Sequence, residues 1–593
     1  DAADECNTEQ RMVSNEEISQ TISLTTNFFG RRRLMTSSAG TNEGGHYGRV
    51  FSLSFSPPFL DDFKEDEEEE EVHAQQNPLT EMRTTRTTPK KKKKKKKRRR
   101  KRFLATSGED DCVRLWVVHA SSSSEEEEEQ SVKVEPKPFG LSVLRGHSDA
   151  VLKCAFGLSR GAFDDDDDDD EKCCENKSSF ALATGSSNGE VFVWRIVTTS
   201  GSGKSKSGKG ENGDRLMAKF NANRKRAEYG ISNEDDLVED AFDGKDDEKD
   251  NDNNEVYGLK FLGGKDEYLV IATDAELIGV EVTRRSLNEK NGGESSVELK
   301  EIARTPLGFS LNENVGDGGG GQGKFDIAYA FAMDAYATRS RSRVDTDTMG
   351  NKHILSVGYS NGTMRMYCFD AKAREFYLVG ENASVFDDNN GTGRKNMACT
   401  SLTFVYPAVE NELEQFPNVV MCNRFGDLVM SDAKNWIERS KPRLNVQTDF
   451  ALTHAVADVG NGFVACCGRM KERNVNGVAL FDAFDVQRGS MFLNASEMMG
   501  EHASKYPLLC VGGFAEDVEE EEEEMVEDST RRTRITVVAA GGMPAKLVNE
   551  NFSNRSNAKS LGFSLAKMKV GGKRDGEEEN TKTSRVYAWD FIT

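Results

Sequence analysis

The chain has 593 residues, of which 36% are hydrophobic and 30% charged, so a large share of it cannot enter an apolar core. A prior of about 150 residues per domain would give three or four domains, but this composition argues for fewer. With 79 Lys and Arg against 101 Asp and Glu, the net charge of −22 disfavours duplex binding through a generally basic surface. No apolar run approaches the roughly 18 residues of a membrane-spanning helix, and residues 1–20 lack the apolar stretch of a secretory signal, so no membrane partner is expected. Eleven Cys, none spaced Cys-x-x-Cys, encode neither a disulfide framework nor a zinc ribbon. Reduced thiols in cytosol or nucleus are the expectation. The chain opens on Asp1 rather than Met, as a fragment would.

In chain order, residues 1–18 are expected to be disordered, and Thr21 to Phe29 has the composition of a strand. A first unit follows: Gly45-His46-Tyr47-Gly48-Arg49-Val50, a strand Phe51 to Phe55, and after an insertion Leu104-Ala105-Thr106, Gly108-Glu109-Asp110-Asp111 and Val113-Arg114-Leu115-Trp116. A second reads Gly146-His147-Ser148-Asp149-Ala150-Val151, a strand to Phe156, then Leu182-Ala183-Thr184, Asn188-Gly189 and Val191-Phe192-Val193-Trp194. Weaker echoes run through Tyr257 to Val282, Leu355 to Tyr367, Ser401 to Ser431, Leu452 to Asp482, and Leu508 to Trp589-Asp590. Short β-branched and aromatic runs bounded by Gly, Asn and Asp, without a 3.6-residue period, predict an all-β repeat architecture.

Between the units lie low-complexity blocks. Acidic runs fill 65–71, 125–129, 164–171 and 519–524, and Lys and Arg occupy every position from 90 to 102. Such blocks repel themselves and bury nothing, so disordered insertions are expected at 58–102, 120–142, 158–178, 198–254, 305–324, 383–397, 515–533 and 543–583.

The two strong units resemble the WD40 repeat family, whose pattern is a Gly-His pair, a strand, Leu-Ala-Ser/Thr, a turn with Asp, and a strand ending in Trp-Asp. The resemblance implies a polar chain from His through Ser/Thr to Trp, with the turn Asp on the His. Carried over, that chain is His46, Thr106, Asp110 and Trp116 in one unit. In the next it is His147, Thr184 and Trp194, with Asn188 in place of Asp; Trp589 and Asp590 supply the last unit's end. Seven units of about 40 residues need roughly 280, and the insertions fill the rest. The expected fold is therefore one seven-bladed WD40-like propeller over 19–593. Its blades fall near 45–118, 143–197, 255–304, 325–380, 398–440, 449–494 and 506–593. The N-terminal strand Thr21 to Phe29 closes the ring beside 585–591.

Catalytic chemistry finds little support. Gly318 to Gly323 with Lys324 satisfies a phosphate-loop spacing, but Phe325 stands where Ser or Thr would hold magnesium and no helix follows. The remaining His show no ligand spacing. Cys173-Cys174 and Cys466-Cys467 read as free thiols of ordinary pKa, and Asn361-Gly362-Thr363 as a turn. No cofactor, metal or enzymatic activity is expected. The basic run, with Lys90, Lys97, Arg98, Arg100, Lys101 and Arg102, reads as an exposed nuclear-import loop; RNA attachment through it is compatible, though no aromatics interleave to stack bases.

The functional expectation is a non-catalytic scaffold in a nuclear or nucleolar complex, binding other proteins as a monomeric ring. A substrate receptor of a ubiquitin ligase or peptide reader is an alternative, weakened because Trp589-Asp590 is followed by Phe591-Ile592 and not by x-Arg. An accessory subunit of an RNA-modifying enzyme is another. Propellers of this family often bind partners through loops leading into the inner strands, which nominates Tyr47, Arg49, Ser148 and Asp149.

Overall fold

A computed structural model describes residues 20–23, 37–38, 46–60, 100–120, 132–137, 141–159, 179–198, 214–223, 254–285, 296–307, 309–310, 327–328, 330–337, 352–382, 386, 398–407, 417–423, 425–432, 444–447, 450–470, 475–484, 490–494, 507–517, 533–542 and 584–592. Among these there is no helix, and seven sheets share one plan: consecutive antiparallel strands ordered from an innermost to an outermost. Blade one runs Val50–Phe55, Arg100–Gly108 and Cys112–Ala120, its outer edge divided between Val132–Pro136 and Val143–Arg145. Blade two runs Val151–Phe156, Ser179–Ser186, Glu190–Val197 and Arg215–Asn221. Blades three to six begin at Val256–Leu262, Ala330–Ala337, Cys399–Val405 and Phe450–Gly460, and blade seven at Leu508–Asp517.

Each innermost strand touches the next, and that of blade seven touches that of blade one, so the ring closes. The core is correspondingly not one body but seven apolar layers, one between each pair of neighbours. Because both faces of each blade are covered, second strands read as continuous apolar runs such as Phe103-Leu104-Ala105 and Val537-Val538-Ala539-Ala540, all buried. In six blades the innermost strand skips one residue against its partner, namely Phe51, Leu152, Tyr257, Phe331, Thr400 and Leu509, and in blade six it skips three, Ala451, His454 and Val459. A bulge at that point increases the local twist of each blade.

Closure departs from the expected segment. The strand beside 585–591 is Ser37–Ser38, paired antiparallel with Tyr587 and Ala588. Gln20–Ser23, which takes in the first three residues of the expected clasp, instead runs parallel to Leu444–Gln447 on the outer edge of blade five, and residues 24–29 lie outside the described residues. The N-terminal segment thus contributes to two blades. The apolar composition of 21–29 gave no information about which outer edge it meets, because every outer strand leaves one row of backbone groups open.

Several stretches expected as disordered insertions are strands. Phe59–Leu60 pairs with Arg100 and Lys101, so Arg100, Lys101 and Arg102 begin a strand. Val132–Pro136 and Arg215–Asn221 are fourth strands, Ser296–Pro306 enters the 305–324 stretch, and Leu508–Asp517 and Thr533–Gly542 reach into 515–533. Outer strands pair on one side only and stay half exposed, so they lack the apolar signature of the inner three. Phe309–Ser310 is a further short strand inside 305–324, and most of the remaining insertion residues, residues 1–18, and the Gly318 to Lys324 segment lie outside the described residues.

Candidate protein-interaction face

The loops leading into the innermost strands and the turns between second and third strands share one face, here the upper face. On it blade one assembles a polar chain. The Trp116 indole N–H donates to Thr106 Oγ1 over 2.9 Å, His46 Nε2 lies 3.0 Å from that oxygen, and His46 Nδ1 lies 2.6 Å from Asp110 Oδ1. An indole only donates and a carboxylate only accepts. Thr106 Oγ1 therefore accepts from Trp116, and the His46 ring bridges Asp110 and Thr106, whose carbonyl oxygen, an acceptor only, also lies 3.1 Å from Nε2. Burial alone would raise the Asp110 carboxyl, but the hydrogen bond and charge of His46, the Arg114 guanidinium and the Tyr47 N–H hold it down to about 2.

Blade two keeps half of this. Trp194 donates to Thr184 Oγ1 over 3.1 Å, and His147 Nε2 is 2.7 Å from it. Asn188 turns away from His147: its Nδ2 donates to Ser148 Oγ, and its Oδ1 accepts from Ser186 Oγ and Glu190 N–H. The buried His147 Nδ1 has no hydrogen-bond partner, and its nearest charge is Glu190 Oε2 at 3.8 Å. Burial lowers this imidazole to about 4, Glu190 opposing and Lys219 reinforcing the shift. In blade seven the chain is missing. Thr106 and Thr184 each stand two residues after the strand partner of their Trp, Leu104 and Leu182. The partner of Trp589 is Val537, so that place falls to Ala539 and the Trp589 N–H has no partner. Asp590 serves Thr536 Oγ1 at 3.1 Å and Arg534 instead.

The four residues nominated for partner contact all reach this face. Tyr47 is 39% exposed. Arg49 pairs with Glu109 at 3.3 Å and its guanidinium lies 5.0 Å from the centre of the Phe51 ring. Ser148 donates its N–H and hydroxyl to Glu190 Oε2, and exposed Asp149 accepts from Ala150 N–H. Asp111 occupies a left-handed turn (φ 57°) at the junction with blade two. Partial burial and the like charges of Asp149 and Asp110 raise its carboxyl.

Lys90, Lys97 and Arg98 lie outside the described residues. Arg102, far from standing in an open loop, contacts Glu516 of blade seven at 3.3 Å, and its guanidinium lies 4.4 Å from the centre of the Phe514 ring. The Cys466 and Cys467 thiols are not ordinary either. Burial pushes both well up, as it does Cys422 (about 12) and Cys154 (about 11), so these groups are poor nucleophiles. Cys173 and Cys174 lie outside the described residues. Asn361-Gly362-Thr363 is a turn, closed by Thr363 N–H on Asn361 Oδ1 with Gly362 at φ 81°.

Two polar groupings carried no motif. Lys137 and Asp214 form a fully buried ion pair in which Asp214 also accepts from Leu141 N–H (2.6 Å) and Val197 N–H (2.9 Å), tying blade one to blade two. Along the central channel Lys260 bonds Asp334 at 2.8 Å, Asp334 accepts from Thr403 Oγ1 and Phe404 N–H, and Thr403 Oγ1 accepts from Asp458 N–H. That chain links blades three to six. Lys and Asp inside otherwise apolar strand runs are the signal that could have revealed it. Among the described residues no His, Cys, Asp and Glu group converges as a metal site.

No family model matches the sequence, and no curated protein matches it. Solved structures do. Sqt1 of Saccharomyces cerevisiae is 12% identical over 88% of this chain and 97% of its own, with a TM-score of 0.36. The WD40 repeats of RRP9 are 10% identical over 61% and 68%, with a TM-score of 0.30. Raptor of Chaetomium thermophilum is 12% identical over 69% of this chain, which spans 24% of Raptor, with a TM-score of 0.33. Seven sheets in a closed ring and the Trp-Thr-His chains of its first two blades make this protein a seven-bladed WD40-like β-propeller.

Proposed function

We propose that the protein is a non-catalytic scaffold that holds other proteins within a nuclear or nucleolar assembly. The observation that carries this reading is the upper face over blades one and two, where exposed Tyr47, Ser148 and Asp149 stand on turns fixed by the Tyr47 N–H on Asp110 and the Ser148 N–H on Glu190. Side chains on rigid supports bind without an ordering cost. Nuclear residence rests on the Lys and Arg run from residue 90.

The test is affinity purification of the full chain with mass spectrometry. Recovery of a defined set of nuclear or nucleolar proteins supports the scaffold. A cullin adaptor would replace it with a ubiquitin-ligase receptor, a methyltransferase with an accessory subunit, and loss of all partners in nuclease would point to RNA tethering. Import is tested by deleting 90–99, which spares the strand from Arg100; unchanged nuclear levels would remove that role.

A further inference from the structure

We infer that the outer edge of blade six, Ser490–Asn494, is covered by the chain's own residues 24–36, part of which adds to it as an antiparallel strand. Both ends of that segment are fixed. Ser23 lies on the outer edge of blade five and Ser37 on that of blade seven, with blade six between them. The intervening 13 residues span at most about 45–50 Å. Packed sheets stand about 10 Å apart, and further at the rim of a ring, so the segment reaches past blade six but not the long way round the other four blades.

Strand direction gives the orientation. Outer strands run towards the upper face and third strands away from it. Gln20–Ser23 is parallel to the outer strand Leu444–Gln447, and Ser37–Ser38 is antiparallel to the third strand Ser584–Ile592, so both rise towards the upper face. The chain therefore leaves blade five at its upper rim and enters blade seven from below. Between the two it descends along blade six, against the direction of Ser490–Asn494.

The edge itself is open to such a strand. The outer strands of blades two, three and four carry charges, and each is interrupted by a bulge, at Met217, Ile302 and Val379. Charges and bulges both discourage pairing at an edge. Leu444–Gln447 and Ser490–Asn494 have neither, since their register is unbroken and none of their residues is charged. The first already bears Gln20–Ser23, whereas among the described residues the second bears no strand. Leu24-Thr25-Thr26-Asn27-Phe28-Phe29 has the β-branched and aromatic composition that suits this place, and it stops at Gly30 and three Arg. An edge covered in this way is withheld from strands of other proteins.

The test is amide hydrogen exchange on the full chain at two protein concentrations, comparing the parent with Thr25→Pro/Phe28→Pro. These positions have opposite parity along a strand, so one proline removes a donor whichever side meets the blade. The outward amides of Ser490–Asn494 are expected to exchange slowly in the parent and about tenfold faster in the variant, with Tyr587 and Ala588 unchanged. Should the prolines also loosen Tyr587 and Ala588, the milder Thr25→Gly/Phe28→Gly is expected to show the loss at blade six alone. Fast exchange of these amides in the parent would overturn the inference. So would equal protection in parent and variant, and protection that grows with protein concentration would give the edge to a second copy instead.

Discussion

Asp110 and Asn188 occupy the same place in successive blades, and one charge separates their roles. Asp110 bonds its imidazole, while Asn188 leaves the Nδ1 of His147 unmatched and turns to Ser148. The Asp110 carboxyl sits at about 2 folded against 3.8 unfolded. Its contribution is therefore complete above pH 4 and disappears as pH falls through 2, and amounts to about 2 kcal/mol. Asp110→Asn should lower stability by that amount at pH 7 and match the parent near pH 2, as read from urea melts across pH. A parallel pair of curves would mean that Asp110 acts by shape alone. The pairing of Thr106 with Trp116 and of Thr184 with Trp194 was legible through the resemblance of the two units to the WD40 repeat. The orphaned Trp589 was not, since only strand pairing shows that Ala539 stands where the hydroxyl would be.

At the scale of elements, the inner three strands of each blade announce themselves through runs buried on both faces, and the fourth does not. Arg215–Asn221 and Val132–Pro136 alternate polar and apolar residues within charged surroundings and pass for linker. The outer edge of blade two is nevertheless fixed firmly, because Asp214, one residue before its fourth strand, accepts from Lys137 and two backbone amides. Burial pulls the Lys137 ammonium down, and only the Asp214 contact opposes this. Lys137→Met strands a buried carboxylate and should cost about 3–5 kcal/mol, whereas Lys137→Met with Asp214→Leu should recover most of it. Equal losses from single and double variants would show that the pair matters through its backbone contacts. Thermal denaturation of the three proteins decides this.

Across the whole ring, the channel carries a second pH response of opposite sign. Burial pushes the Asp458 carboxyl up to about 7, with Asp334 adding and Gly460 N–H and Lys260 opposing. The unfolded group ionises near pH 4, so stability falls as pH rises from 4 to 7 and the penalty persists above it. Asp458→Asn should raise stability at pH 8 by on the order of 1–3 kcal/mol, after discounting for channel water, with no gain at pH 4. A gain independent of pH would exclude ionisation as the cause. Seven blades were countable from repeats, because each unit must bury its faces against two neighbours. The clasp was not, since two residues pairing through backbone alone carry no side-chain pattern.

That clasp sets a timetable for synthesis. Ser37 and Ser38 leave the ribosome early but find Tyr587 and Ala588 only when translation is nearly over. Until then the flank of blade one that includes Val50, Leu104 and Trp116 has no blade seven to cover it. A nascent chain in this condition exposes an apolar wall for most of its elongation, the circumstance in which chaperones are recruited and in which truncated products aggregate.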